Sequence, residues 1–188
     1  MVHQIKSALI LGGADCVWED MEAAQALGTF DATIAINDVL AYYDGPIDYA
    51  VSLHPQKYVI WMKERDRKDF QKPDCFVAFV GYPETGCYPI DLVLDYKWPG
   101  MGTSGSSGLF AIKLAIDRGF TKIVLCGIPM TPAPHFFDGK EWGQVEQFWP
   151  TWKLMINHFS DQTRSMSGRT MELLGTPTRQ WMEVPDGH

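Results

Sequence analysis

Basic residues are scarce in this chain: 16 Lys and Arg stand against 23 Asp and Glu, a net charge of -7. That balance excludes a broad positive face of the kind that gathers duplex nucleic acid or anionic lipid. Long apolar runs are missing as well, so no membrane span is expected. Residues Met1 to Lys6 lead straight into Ser7-Ala8-Leu9-Ile10-Leu11, without the h-region and cleavage site of a signal peptide. The four cysteines, Cys16, Cys75, Cys87 and Cys126, form no CxxC pair and have no His at zinc-ligand spacing. The expectation is free thiols in a reducing cytoplasm and no metal centre. There is no internal repeat, no Walker A sequence, no dinucleotide glycine pattern and no nucleophile elbow or Ser-His-Asp order.

What is present suggests a core. With 188 residues, 46% of them hydrophobic, the chain reads as one domain over residues 1–188. Short apolar runs at residues 8–11, 33–36, 49–53, 75–80 and 122–128 read as buried strands, and several end in polar residues or glycine. Helical periods at 18–27, 58–70 and from Ser106 to a stop at Gly119 lie among them. Strands alternating with helices predict an α/β domain: a single doubly wound, mostly parallel sheet with helices on both faces, Rossmann-like. Residues 83–101 show no period and read as a functional loop or lid. The last third reads as a Pro- and aromatic-rich loop, a helix near 146–159, a short strand near 163–166 and a final helix opening around Ser167. Seven Trp in a chain of this size suggest core packing first, and secondarily a partner surface or homo-oligomer contact.

The segment with the clearest chemistry is Gly102-Thr103-Ser104-Gly105-Ser106-Ser107-Gly108. Its glycines let the backbone turn N–H groups outward, Thr103, Ser104, Ser106 and Ser107 add hydroxyls, and a helix starts directly behind. A small phosphate-bearing ligand fits the positive end of that helix whatever the net charge. The plainer reading is a connector in which Ser106 or Ser107 is an N-cap. Gly12-Gly13 follows the first strand, where doubly wound folds place nucleotide phosphates, or is simply a tight turn. Asn37-Asp38 follows the second strand and suits either a ribose or base contact or helix capping. His54 and His135 lie in loops expected at the strand-end cleft. His135 and His158 are the candidate general bases. Asp91, Asp95, Asp138 and Glu141 could hold a divalent ion such as Mg²⁺ only by coming together from separate loops.

Ser106-Ser107-Gly108 through Gly127-Ile128 reads as a [ST]-S-G loop, an Ala-containing helix closing on Gly, and an apolar strand ending in Gly-Ile. This resembles, at the same spacing, the Rossmann-like bacterial sialyltransferases and their motility-accessory-factor and hydroxymethylpterin diphosphokinase relatives. Leu9-Ile10-Leu11-Gly12-Gly13 and Ile34-Ala35-Ile36-Asn37 resemble that superfamily's first-strand turn and second-strand Asn. The resemblance implies that Ser106, Ser107 and Asn37 hold a nucleotide, a cytidine nucleotide in the sialyltransferases. The chain departs from the pattern at Gly12-Gly13-Ala14-Asp15-Cys16, where the family reads Gly-Asn-Gly-Pro-Ser. It departs again at Pro129, where the family has Asp, and at Thr131, where a Tyr is expected. Three functions follow as expectations: a glycosyltransferase-like enzyme on a nucleotide sugar, an Mg²⁺-dependent diphosphokinase, or a non-catalytic binding module of the same fold.

Overall fold

The structure is a computed structural model that describes residues 5–82, 88–102 and 104–184. The first apolar run forms β1 (Ser7–Leu11). The chain then passes through α1 (Val17–Gln25), β2 (Ala32–Ile36), α2 (Val39–Tyr42), β3 (Tyr49–Val51), α3 (Tyr58–Arg67) and β4 (Cys75–Phe79). Next come β5 (Leu92–Leu94), α4 (Ser107–Asp117), β6 (Lys122–Cys126), α5 (Val145–Met155), β7 (Thr163–Ser165), α6 (Gly168–Leu174) and α7 (Arg179–Glu183). Single 3-10 turns occupy Pro55–Lys57 and Ile156–His158.

The seven strands form one sheet in the order β5-β4-β3-β2-β1-β6-β7. Every pairing is parallel, so the sheet is wholly rather than mostly parallel. Parallel strands with both faces covered need apolar side chains in both directions, and β1 and β6 are buried at every residue. Ala8, Ile10, Ile34 and Val77 pack with Leu109 and Phe110 of α4 and Trp152 of α5 on one face. Leu9, Leu11, Ala35 and Ala50 pack with Val17 of α1, Leu40 of α2 and Trp61 of α3 on the other. The domain is therefore doubly wound, as the alternation of elements predicts.

Three elements were not visible in the periodicity. Residues 83–101 are not wholly loop: Leu92–Leu94 pairs with β4 as an edge strand, while 83–87 lie outside the described residues. A three-residue strand is shorter than any run that a period-2 test can separate from coil. The same shortness hid α2 and α7, of 4 and 5 residues. β3 also ends at Val51, earlier than its apolar run, because Ser52 and Leu53 turn to make the contacts described below.

A recurrent aspartate sets the strand starts. Asp31, Asp48, Asp74 and Asp91 each stand immediately before a strand, β2, β3, β4 and β5 respectively. Asp31 accepts from the Ser7 amide at 2.7 Å, Asp48 from Thr33 at 2.8 Å and Asp91 from Phe76 at 2.8 Å. Each of these charge-assisted bonds reaches the neighbouring strand and pins parallel register at the end of the sheet opposite the cleft.

Candidate functional site

Strand order reverses between β1 and β6, so the loops leaving these two strands diverge and open a crevice at their carboxyl ends. A cleft of about 330 Å³ occupies it. Residues 12–14 after β1, 36–38 at the end of β2, 127–131 after β6 and 105–108 at the head of α4 line it. His54, Ala133, His135, Trp142, Gln144 and Phe148 complete its walls.

The β1–β6 junction is tight. Gly12 N donates to Cys126 O at 2.8 Å and Ala14 N to Gly127 O at 3.1 Å. A Cβ on Gly12 would stand 2.3 Å from Ile128 Cγ1 and 2.6 Å from Gly127 O. The glycine at position 12 is thus required by the approach of the two strands, whether or not a ligand touches it. Gly127 is held by its own amide, which donates to Asp20 Oδ2 at 2.9 Å, and Ser167 Oγ donates to the same oxygen at 2.7 Å. Cys16 Sγ lies 3.4 Å from Ser167 Oγ.

Burial pushes the Cys16 thiol up to about 11, with Asp20 and Asp15 adding to the rise and the Ser167 hydroxyl opposing it. The sequence-based expectation of an unpaired thiol holds here, and this one is also inert: thiolate, the reacting form, is scarce near neutral pH. Cys16 is expected to react with iodoacetamide at pH 7.5 at least tenfold more slowly in the folded chain than in urea, as read by mass spectrometry of the alkylated peptide. The raised value also sets a pH window. From about 9 upward the unfolded chain ionises this thiol before the folded one does, so its contribution to stability is complete below pH 9 and is lost toward pH 11.

Across the crevice, α4 begins at the Gly/Ser loop. Ser106 is its N-cap: Oγ accepts from Leu109 N at 3.3 Å and from the indole of the buried Trp152 at 3.1 Å. The capping reading of Ser106 is therefore correct, and it coexists with a place on the cleft wall. Ser106→Ala removes the cap and strands the Trp152 N–H. It is expected to cost ~1–3 kcal/mol, read as the shift in urea midpoint. Ser107 Oγ accepts from Leu53 N at 3.2 Å, tying α4 to the end of β3. Gly105, Ser107 and Gly108 all line the cleft, and the amides of Ser107 and Gly108 lie in the first helical turn, where no intrahelical carbonyl can reach them. Ser104 does not line the cleft. It is buried behind the loop, and its hydroxyl accepts from Ser106 N at 3.3 Å. Thr103 lies outside the described residues.

Asn37 carries a left-handed backbone, φ 54°, a conformation that asparagine tolerates better than most residues. Ser52 Oγ donates to Asn37 Oδ1 at 2.7 Å and accepts from His54 N at 2.8 Å. That bond orients the amide, and among the described residues Nδ2 has no partner on this wall of the cleft. Asp38 stands at the start of α2 but makes no capping bond. Its carboxylate instead accepts from the Trp61 indole at 3.0 Å while facing the cleft. Met130, at φ 50°, is a second left-handed residue on the wall. Burial, with Lys57 adding to it, lowers the His54 pKa, which favours a neutral ring.

The structure separates the two candidate bases. His135 lines the cleft beside Gly13 and Thr131. His158 does not: it is exposed in the turn after α5 and stacks on Trp98 at 5.9 Å. The amphipathic α5 sends Trp152, Met155 and the following Phe159 inward and leaves His158 outside. The proposed cation ligands are not gathered either. Asp91 serves Phe76, and Asp138 accepts from Lys140 N at 3.1 Å. Among the described residues, no three His, Cys, Asp or Glu stand together as a metal site. Sequence reasoning passed over Trp142 and Phe148, stacked at 5.6 Å on the cleft wall. Their only signal was the aromatic density after Pro132.

No family model matches the chain, and no curated protein is significantly similar to it in sequence. Solved structures do match. A variant of the sialyltransferase CST-II in complex with CMP superposes at a TM-score of 0.59, with 13% identity over 96% of this chain and 89% of that one. The chain shares its fold with this sialyltransferase. The monofunctional α-2,3-sialyltransferase Cst-I from Campylobacter jejuni gives a TM-score of 0.55 at 12% identity, over 96% of this chain and 82% of its own. CstII from Campylobacter jejuni with the substrate analogue CMP-3FNeuAc gives 0.53 at 13% identity, over 96% and 88%. Among the described residues no helix is long and apolar enough to cross a membrane.

Proposed function

We propose that the cleft binds a cytidine nucleotide or nucleotide sugar and that the protein is glycosyltransferase-like. One observation carries the reading: the N-terminus of α4, the side chain of Asn37 and the imidazole of His135 line one cleft at the switch point of the sheet. The phosphate sits at the α4 amides of Ser107 and Gly108, where the helix dipole favours it without a basic side chain. The ribose or base lies toward Asn37 and Asp38, and the Trp142 ring offers the base a stacking face. The sialyltransferases that share this fold were solved with CMP and with CMP-3FNeuAc, which makes cytidine nucleotides the first ligands to try.

A thermal-shift panel of nucleoside monophosphates and nucleotide sugars tests this reading. A ligand present at 100 times its Kd stabilises by ~2.7 kcal/mol, which raises the Tm of a chain this size by roughly 5–10 °C. CMP or a CMP sugar is expected to give that shift in the presence of EDTA. Insensitivity to chelator also separates this reading from a diphosphokinase, whose phosphoryl transfer requires Mg²⁺. A panel in which nothing moves the Tm removes the reading.

The replacements at Pro129 and Thr131 favour one further reading, a binding module without turnover. Asp38, His54 and His135 are the ionisable side chains among the described residues of the cleft. Release of CMP from a CMP sugar by the intact chain decides between the two.

A further inference from the structure

The imidazole of His135 stands where position 13 lacks a side chain. A Cβ built on Gly13 would lie 2.9 Å from both Cε1 and Nδ1 of His135, so the ring fills the space in front of the turn after β1. The backbone fixes it there. Ala14 and His135 pair as an antiparallel bridge. Phe136 N donates to Gly13 O at 3.1 Å, Asp15 N to Pro134 O at 2.9 Å, and His135 N to Lys140 O at 2.8 Å. The Phe137 ring packs edge-on against the imidazole at 5.6 Å. Nδ1 is buried and has no hydrogen-bond partner among the described residues, and the residue lines the cleft. A buried N–H without an acceptor is costlier than a buried lone pair, so the neutral ring carries its proton on Nε2.

We propose that His135 is a ligand residue whose Nε2–H donates to the phosphate of the bound nucleotide, in place of a side chain on position 13. This rests on the nucleotide reading above and changes the role expected of His135. A general base would need the lone pair on Nε2, and the proton would then sit on the enclosed Nδ1. The placement is coherent with the rest of the site. His135 and Gly13 line the same cleft as the first turn of α4, so a phosphate at the helix terminus meets the imidazole from the opposite wall. Gly13 acts through the ring: its missing side chain is what lets the imidazole reach this position.

Calorimetric titration of the full chain with CMP and with cytidine, which lacks the phosphate, tests the proposal in four variants. His135→Ala is expected to weaken CMP at least tenfold, the effect of losing a hydrogen bond to a charged group, and to leave cytidine within twofold. His135→Gln keeps an N–H donor on a side chain of similar reach and is expected to retain most of the CMP affinity. Gly13→Ala pushes the ring aside and is expected to weaken CMP in the parent chain yet add less than twofold in the His135→Ala background. The CMP to cytidine ratio within each variant is independent of any change in folding. Equal losses for CMP and cytidine in His135→Ala overturn the proposal, as does a full Gly13→Ala effect when the imidazole is already gone. If neither compound binds the unaltered chain, the nucleotide reading itself falls with it.

Discussion

Gly127→Ala is expected to lower stability by about 3–5 kcal/mol and the Tm by roughly 10 °C or more. Two costs combine at this position. The backbone at Gly127 has φ +66°, where a Cβ is strained in itself, and that Cβ would stand 2.5 Å from Val17 Cβ and 2.9 Å from Gly12 O. Relief requires α1 to move off the sheet or the β1 and β6 ends to separate. The first movement breaks the bond from Gly127 N to Asp20 and the second breaks that from Ala14 N to Gly127 O. Since the cleft is built on the divergence of these two strands, nucleotide affinity should fall with stability. Chemical denaturation of the variant beside the parent measures the first, and calorimetry at a temperature where both are folded measures the second. A loss below 1 kcal/mol would show that the junction is not rigid.

Asn37→Asp is the largest effect expected on binding with little effect on folding. The two side chains have the same shape, and the Ser52 hydroxyl can still donate to Oδ1. What changes is Nδ2: a donor open to the cleft becomes a carboxylate facing a phosphate-bearing ligand, some of whose acceptors are left without a partner. Losing a hydrogen bond to a charged ligand and adding like-charge repulsion costs ~2–3 kcal/mol, a fall in CMP affinity of roughly 30-fold to 150-fold. Stability should stay within about 0.5 kcal/mol of the parent, since aspartate tolerates the left-handed backbone nearly as well as asparagine. Equal binding by parent and variant would move the ligand away from the end of β2.

Much of this was legible in the residues. Runs such as Ser7-Ala8-Leu9-Ile10-Leu11 and Lys122-Ile123-Val124-Leu125-Cys126 are buried on both faces and could be recognised because, after the first residue, they are apolar without alternation. The Gly/Ser loop was recognisable as the head of a helix because Ser106 obeys capping chemistry. What escaped detection depended on long-range packing. Leu92–Leu94 becomes a strand only because β4 offers it an edge. Gly105 and Gly108 read as sources of backbone freedom, but a Cβ on them would meet Phe148 at 2.9 Å and Trp152 at 3.0 Å, so they also make room for rings 40 or so residues further along the chain. Ser104 was indistinguishable from Ser106 and Ser107 by composition. Only the fold turns it inward and leaves the other two on the cleft. His135 and His158 were equivalent as histidines in loop or late-helix positions, and the amphipathic phase of α5 separates them.

The charge distribution sharpens the functional reading. The described residues lining the cleft include no Lys or Arg, and the chain carries a net charge of -7. A phosphate held here is therefore held by backbone amides, hydroxyls and an imidazole, with no Lys or Arg. Such binding depends on fixed geometry more than on long-range attraction, so its affinity should change little between 50 and 300 mM salt.

The most direct measurement is a crystal structure of the chain with CMP. The account predicts density in the crevice between β1 and β6, with phosphate oxygens within hydrogen-bonding distance of the Ser107 and Gly108 amides and of His135 Nε2, and with the nucleoside reaching Asn37. CMP bound elsewhere, or bound in this crevice with its phosphate turned away from the first turn of α4, would contradict it.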